Sequence, residues 1–264
     1  MVTDISRLNP SPQLERAGLR FGAKGMHTTR TMMVAEMRDL LAEVPQNGTR
    51  DDYAHAIVEE NVLGKQTVAT RRLTSTRLGE LYGLDPRISI FHVLRRLWEL
   101  DPDGRPLLAL LCAISRDPLL RCTVPSIVGL PVGSELVRVE LSRAIRAATG
   151  SRFNESTLDK VARNVGSSWT QSGHLRGRVR KIRQNVSATV GPAAFVLWLG
   201  EKMGLAGAQL LESGWVRILD STAGEMVELA LRAKQLGLIH ARVGGGVVEI
   251  DASRLDDRGV QADG

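Results

Sequence analysis

Apolar side chains recur every three or four residues along most of this chain, and nearly every run is closed by a proline, a glycine or a capping pair. Only a helical turn of about 3.6 residues gathers such positions onto one side, so the pattern dictates amphipathic helices packed face to face. Met32, Met33, Met37, Leu40 and Leu41 form one stripe, stopped at Pro45. Thr49, with Asp52 three positions on, opens a helix that runs to about Asn61. Another is predicted over 65–82, with Gly83 as its stop. Ile90, Val93, Leu94, Leu97 and Trp98 make the next face. Arg105-Pro106 then opens a short, almost wholly apolar helix whose Leu107, Leu108, Leu110 and Leu111 suit the centre of a helical core.

The punctuation divides the chain. Residues 1–25, interrupted by Pro10, Pro12, Gly18, Gly22 and Gly25, read as a loose N-terminal arm, and 26–130 as an N-terminal helical domain. Pro118, Pro125, Gly129, Pro131 and Gly133 mark a joint, after which 131–190 forms its own unit. There Ser134 is placed to cap a helix ending before Gly150, and a second helix starts near Asn154 or Ser156 and ends at Gly173. Residues 191–254 carry a helix from Pro192, a capped helix from Thr222 and Glu225, and two short strands around the glycines at 244–246. Residues 255–264 read as a flexible tail.

Charge is distributed unevenly over this frame. The 264 residues hold 35 Lys and Arg against 29 Asp and Glu, a net +6. The window 151–185 holds eight cations and two carboxylates, so the whole excess sits there and the rest is balanced. A lopsided cationic segment implies a polyanionic partner. In the same window Leu158, Val161, Val165 and Trp169 share one helix face, which leaves Lys160, Arg163, Asn164, Ser167 and Gln171 on the other. These side-chain types reach base edges and phosphates. Arg176, Arg178, Arg180, Lys181 and Arg183 follow on a strand-like stretch, where alternation would point the first three to one side, along a row of phosphates.

A helix packed by one face and followed by a basic hairpin is the layout of a winged helix-turn-helix, with the helix in the groove and the wing on the backbone. The expected fold is therefore mainly α: a helical bundle with winged helix-turn-helix units and short β-hairpin wings. The hairpin unit at 221–251 has mixed charges and reads as structural or partner-binding. Arg71, Arg72 and Arg77, on the helix over 65–82, are candidate auxiliary DNA contacts or plain surface cations.

Other chemistry finds little support. Cys112 and Cys122 lack a zinc-type spacing and read as reduced thiols on helical segments; no metal or cofactor is expected. The five histidines are scattered, and His174, beside the basic run, is a core residue or a phosphate contact. No hydrolase, zincin or nuclease signature occurs, so a non-catalytic role is expected. Gly18 to Gly25 lacks the ending of a phosphate loop. Aromatic residues make up only 4%, which argues against single-strand stacking platforms. No apolar run reaches the ~20 residues of a membrane span, and no apolar leader opens the chain; a cytoplasmic setting without a membrane or small-molecule partner follows as the expectation.

The string Glu60-Asn61-Val62-Leu63, with Thr67, Thr70-Arg71-Arg72-Leu73 and Arg77-Leu78, resembles BrxA-like proteins of bacteriophage exclusion (BREX) systems. So does Ser156-Thr157-Leu158-Asp159-Lys160 leading through Trp169 to Gly173-His174-Leu175, the likeness covering about 30–180. The resemblance implies a mainly helical, non-catalytic DNA-binding protein that works beside other phage-defence components. It leaves the C-terminal hairpin unit as an addition. Together the readings give a double-stranded DNA-binding protein, with two alternatives: a scaffold whose basic strip docks an acidic partner, and a winged-helix repressor.

Overall fold

The computed structural model describes residues 4–22, 24–245 and 247–257. The N-terminal half is a run of helices: α1 (Pro12–Ala17), α2 (Val34–Glu43), α3 (Arg50–Val58), α4 (Val68–Tyr82), α5 (Ser89–Leu100), α6 (Arg105–Arg116), α7 (Pro118–Arg121) and α8 (Val124–Val128). Then come α9 (Arg138–Thr149), α10 (Glu155–Gln171), the short strands β1 (Leu175–Arg176) and β2 (Ile182–Arg183), α11 (Val190–Lys202), α12 (Ala208–Leu211), α13 (Gly214–Ile218), α14 (Ala223–Gln235), β3 (His240–Gly244) and β4 (Val247–Asp251). The mainly helical class with two antiparallel hairpins matches the periodicity.

Local signals set the starts. Thr49 accepts the Asp52 amide while the Asp52 carboxylate accepts the Thr49 amide at 2.7 Å, and Thr222 with Glu225 repeats this box at α14. Thr67 caps α4 and Asn154 caps α10. Each such cap stabilises its helix by about 1 kcal/mol.

Helices α6 and α11 form the centre. Ten consecutive residues of α6, Leu107 through Arg116, are buried, as are ten of α11, Gly191 through Gly200. A helix apolar on every side has to be enclosed by others, and α4, α5 and α11 pack on α6 while α5, α13 and α14 pack on α11. Each fully enclosed leucine contributes roughly 2 kcal/mol. Cys112 lies inside α6 and Cys122 is half-buried after α7; burial holds both thiols at about 12, so they stay protonated.

The last carbonyls of a helix have no partner within it, and here arginines supply one repeatedly. Arg71 donates to Val58 at the end of α3, and Arg95 to Leu41 and Val44 at the end of α2. Arg105 serves Trp98 in α5, Arg116 serves Gly79 and Glu80 in α4, and Arg121 serves Ile114 and Ser115 in α6. A cation there also meets the negative end of the helix dipole.

Several expected boundaries are corrected. The segment read as a loose arm holds α1 and buries Ile5, Leu14, Ala17 and Leu19. The joint around 116–133 holds α7 and α8, with Leu119, Leu120, Val124 and Ile127 buried, because its prolines start helices instead of breaking them. One continuous core runs through all the expected units. Leu255 is buried in a 3-10 turn at Ser253–Asp256 that packs on α5, and the remainder of the expected tail, from 258, lies outside the described residues.

Ser134 belongs to an extended segment and caps no helix. Leu136 donates to Lys181, Gly133 to Arg183, and Arg183 back to Ser134, each at 2.8–2.9 Å. The segment 133–136 therefore runs antiparallel to β2, which pairs with β1 through Leu175↔Arg183 and Arg176↔Ile182. Helices α9 and α10 lie in the chain between the first and second of these extended pieces.

Candidate nucleic-acid interface

Helix α10 is fixed on two sides. Leu158, Val161, Val165 and Trp169 are buried, as their spacing predicts. One step round the helix, Asn164 donates to the His27 carbonyl at 2.8 Å, and Gln171 donates to Thr31 at 3.0 Å and accepts from the Val34 amide at 3.3 Å. Asn164 and Gln171 are thus withdrawn from the groove-facing set: they hold the segment 27–34 against α10. The outward stripe is Ser156, Lys160, Arg163, Ser167 and Thr170, with Lys160 and Arg163 exposed and Ser167 half-buried.

The hairpin also departs from the alternating strand. Of the three arginines expected to alternate, only Arg176 is on a strand; Arg178 and Arg180 lie on the tip between β1 and β2. Gly177 makes the tip possible. Its φ is +113°, and a Cβ there would sit 2.0 Å from the Arg180 carbonyl oxygen, so no side chain fits this turn. Arg176, Arg178 and Arg180 are exposed, with Val179 between the last two 91% exposed. Lys181 folds back on α10, its Nζ donating to Thr170 Oγ1 at 2.8 Å and to the Gly177 carbonyl at 3.3 Å, and desolvation lowers its pKa. It braces the hairpin.

Arg183 is a correction. Expected to grip phosphate, it is 2% exposed, donates to the Ile127 carbonyl at the end of α8 at 3.0 Å, and pairs with Asp220. Asp220 also accepts the Val186 amide at 3.0 Å, so this pair ties the hairpin to the C-terminal unit. Arg183 occupies the in-pointing register opposite Leu175; the alternation that sets Arg176, Arg178 and Arg180 on one side already places position 183 on the other.

The four carboxylates between 131 and 184 all meet arginines. Asp159 is shared by Arg138 at 3.1 Å and Arg163 at 3.4 Å, Glu155 meets Arg146 at 2.5 Å, Glu140 meets Arg143 at 2.7 Å, and Glu135 meets Arg180 at 2.8 Å. The same stretch holds eleven cations, nine of them exposed. Lys160, Arg176 and Arg178 have no ion-pair partner among the described residues. Exposed pairs are worth ~0–1 kcal/mol, so Arg163 and Arg180 can exchange a carboxylate for a phosphate at small cost. Arg138, Arg143, Arg146 and Arg152 were not singled out from the sequence; their charge lay mostly outside the densest window, and folding sets α9 against α10.

On α4 the three candidates divide. Arg71 is spent on the carbonyls of Val58 and Lys65, Arg72 is exposed, and Arg77 is buried at 8% exposure.

One arrangement imitates a catalytic site. His27 Nδ1 lies 2.7 Å from Asp117 Oδ2 and His27 Nε2 lies 2.8 Å from Ser168 Oγ. Distances of this kind activate a serine. Here all three residues are enclosed, and Ser168 Oγ accepts the Met32 amide at 2.8 Å and lies 3.2 Å from the Asn164 carbonyl. With its oxygen coordinated by the protein itself, Ser168 faces no space for a substrate, and the set is a hydrogen-bond hub that joins the N-terminal segment, α7 and α10. Burial raises the Asp117 carboxyl, but the facing His27 and amide bonds outweigh it and leave the pKa lowered.

His174 is likewise a core residue. Its Nδ1 lies 2.9 Å from Ser172 Oγ, its Nε2–H donates to the Ile218 carbonyl at 2.7 Å, and its ring meets Trp169 edge-on at 4.9 Å. Burial depresses it to about 4. No described group of His, Cys, Asp or Glu could share a metal ion, and no described helix is long and apolar enough to cross a membrane.

No protein-family model matches the sequence, and no curated protein matches it.

Proposed function

We propose that residues 131–190 are a winged helix-turn-helix that binds double-stranded DNA without chemistry of its own, with α10 entering the major groove and the 176–183 hairpin lying on the adjoining backbone. The observation that carries this reading is one arrangement: extended segment, two helices, hairpin, with the first segment paired to the last strand and Lys160, Arg163, Arg176, Arg178 and Arg180 all turned outward from it. Val179 at the hairpin tip suits contact with sugar or groove edge. The resemblance at about 30–180 to BrxA-like proteins supports a place among BREX-type phage-defence components in the cytoplasm, with those components as further partners.

Base reading is limited to Lys160, Arg163 and Ser167, since the Thr170 hydroxyl is taken by Lys181 and the Gly166 carbonyl, so weak sequence preference is expected. The three hairpin cations left facing phosphates, Arg176, Arg178 and Arg180, give a log–log salt slope of about −3. Fluorescence anisotropy with duplex, single-strand and RNA probes at two salt concentrations tests the reading. Duplex should bind most tightly, and the Arg176→Ala/Arg178→Ala/Arg180→Ala variant should have a slope shallower by about 3. Unchanged affinity of that variant at low salt removes the proposal.

A further inference from the structure

Arg77 stands apart from every other buried arginine described above. Arg95, Arg116, Arg121 and Arg183 each reach backbone carbonyls. Arg77, 8% exposed, makes no hydrogen bond and no ion pair among the described residues, and its Nη1 is enclosed without an acceptor. An uncompensated buried charge costs several kcal/mol, and a fold that caps at least six helix ends with arginine had carbonyls available. A like charge makes the deficit worse: the exposed Arg30 acts on it, and among the described residues Arg30 too has no carboxylate. Burial and this like charge both push the Arg77 guanidinium below the ordinary arginine range.

Placement is set by the segment that carries Arg30. Its 3-10 turn, Met26–Thr28, packs on both α4 and α10. On the α4 side Tyr82 Oη donates to the Met32 carbonyl at 2.5 Å; on the α10 side Asn164, Ser168 and Gln171 hold it. Two guanidiniums without an acid among the described residues, one largely buried and one at the surface, thus lie in the region where the 26–34 segment meets α4, beside the proposed DNA-reading helix.

We infer that Arg77 and Arg30 together bind one phosphate-type oxyanion, which supplies the acceptor that the buried guanidinium lacks. Two guanidinium groups offer donors enough for a tetrahedral oxyanion. The oxyanion is either inorganic phosphate or a phosphodiester of the bound duplex; only the second source rests on the DNA-binding reading.

The test uses the full chain and two variants, Arg77→Met, which keeps the volume and removes the charge, and Arg30→Ala. Thermal unfolding is followed in inorganic phosphate and in chloride at matched ionic strength. DNA affinity is followed against salt in a phosphate-free buffer. If inorganic phosphate is the ligand, it raises the wild-type Tm by roughly 3–6 °C at ten times its dissociation constant, and both variants lose the rise. If the ligand is the duplex, phosphate leaves the Tm unmoved, but Arg77→Met makes the DNA salt slope shallower by about 1. A Tm rise that survives in Arg77→Met, or no change in either measurement, overturns the inference. Loss of DNA binding in the hairpin triple variant with no effect of Arg77→Met sinks this site alone. A phosphate effect in a protein that binds no duplex sinks the DNA reading alone.

Discussion

The molecule contains two helix-then-hairpin units, α10 with β1 and β2, and α14 with β3 and β4, and they differ in what their charges do. Between 131 and 184 there are eleven cations and four carboxylates; between 207 and 251 there are four cations and six carboxylates. The first hairpin pairs only two residues per strand and is supported from outside, by the segment 133–136 and by Lys181 on Thr170. The second pairs five residues per strand and lies against α14 and α11. Three of its acids are occupied locally: Glu225 caps α14, Asp251 accepts the Ser253 amide, and Glu249 faces Arg242 at 4.0 Å. Shape alone therefore says nothing about DNA. The first unit has spent its buried side chains on holding a short, cation-bearing tip in place, and the second has no such surplus to hold.

The largest test of that contrast is Arg183→Ala. If Arg183 is the bolt between the units, its loss leaves Asp220 as a nearly enclosed charge without its partner, and the fold should lose about 3–5 kcal/mol in denaturant titration. A loss below about 1 kcal/mol would return Arg183 to the set of phosphate contacts.

Next in size is a pH effect at the same junction. His174 has a folded value near 4 against an ordinary 6.5, so between these values the unfolded chain binds more protons than the folded one. Its stabilising contribution is complete above 6.5, erodes as pH falls from there, and is gone below about 4, a change on the order of 3 kcal/mol. His174→Gln should show a shallower stability decline over that window than the wild type. Parallel declines would mean that the ring is not held neutral in the folded state.

These two residues also mark what the sequence could and could not tell. Elements with repeated apolar spacing and a capping pair were legible: the α3 and α14 boxes, the Gly83 stop and the buried face of α10 stand as expected. The role of an individual cation was not. Arg178 and Arg183 belong to one continuous run, yet one faces water on the hairpin tip and the other, at an odd position on β2, faces Asp220; a count of charge along the run does not separate the two sides. Asn164 and Gln171 have the right chemistry for bases, but the segment 27–34, more than a hundred residues earlier, takes their hydrogen bonds. The prolines at 118 and 125 looked like linker residues only because the helices they start are one turn long.

A smaller effect is expected from Gly177→Ala. The Cβ would meet the Arg180 carbonyl oxygen at 2.0 Å, so the tip has to shift; with the left-handed φ relieved in part, the cost should be about 1–3 kcal/mol. The shift moves Arg178 and Arg180, and the DNA salt slope should become shallower. A variant unchanged in both melting and salt slope would show that the tip is not a rigid mount for these arginines.

The finest comparison uses one kind of substitution in both units. Asn154 caps α10 by accepting the Thr157 amide at 2.8 Å, and Thr222 caps α14 by accepting the Glu225 amide at 3.2 Å. Asn154→Ala and Thr222→Ala should each cost about 1 kcal/mol of stability. Their functional effects should separate. Fraying the first turn of α10 loosens the helix just before Lys160 and Arg163 and should weaken duplex binding; the same fraying of α14 should leave it unchanged, because the exposed residues around that helix carry no cationic surplus. Equal losses of DNA affinity in the two variants would mean that both units touch the duplex, and the division of labour drawn from their charges would not hold.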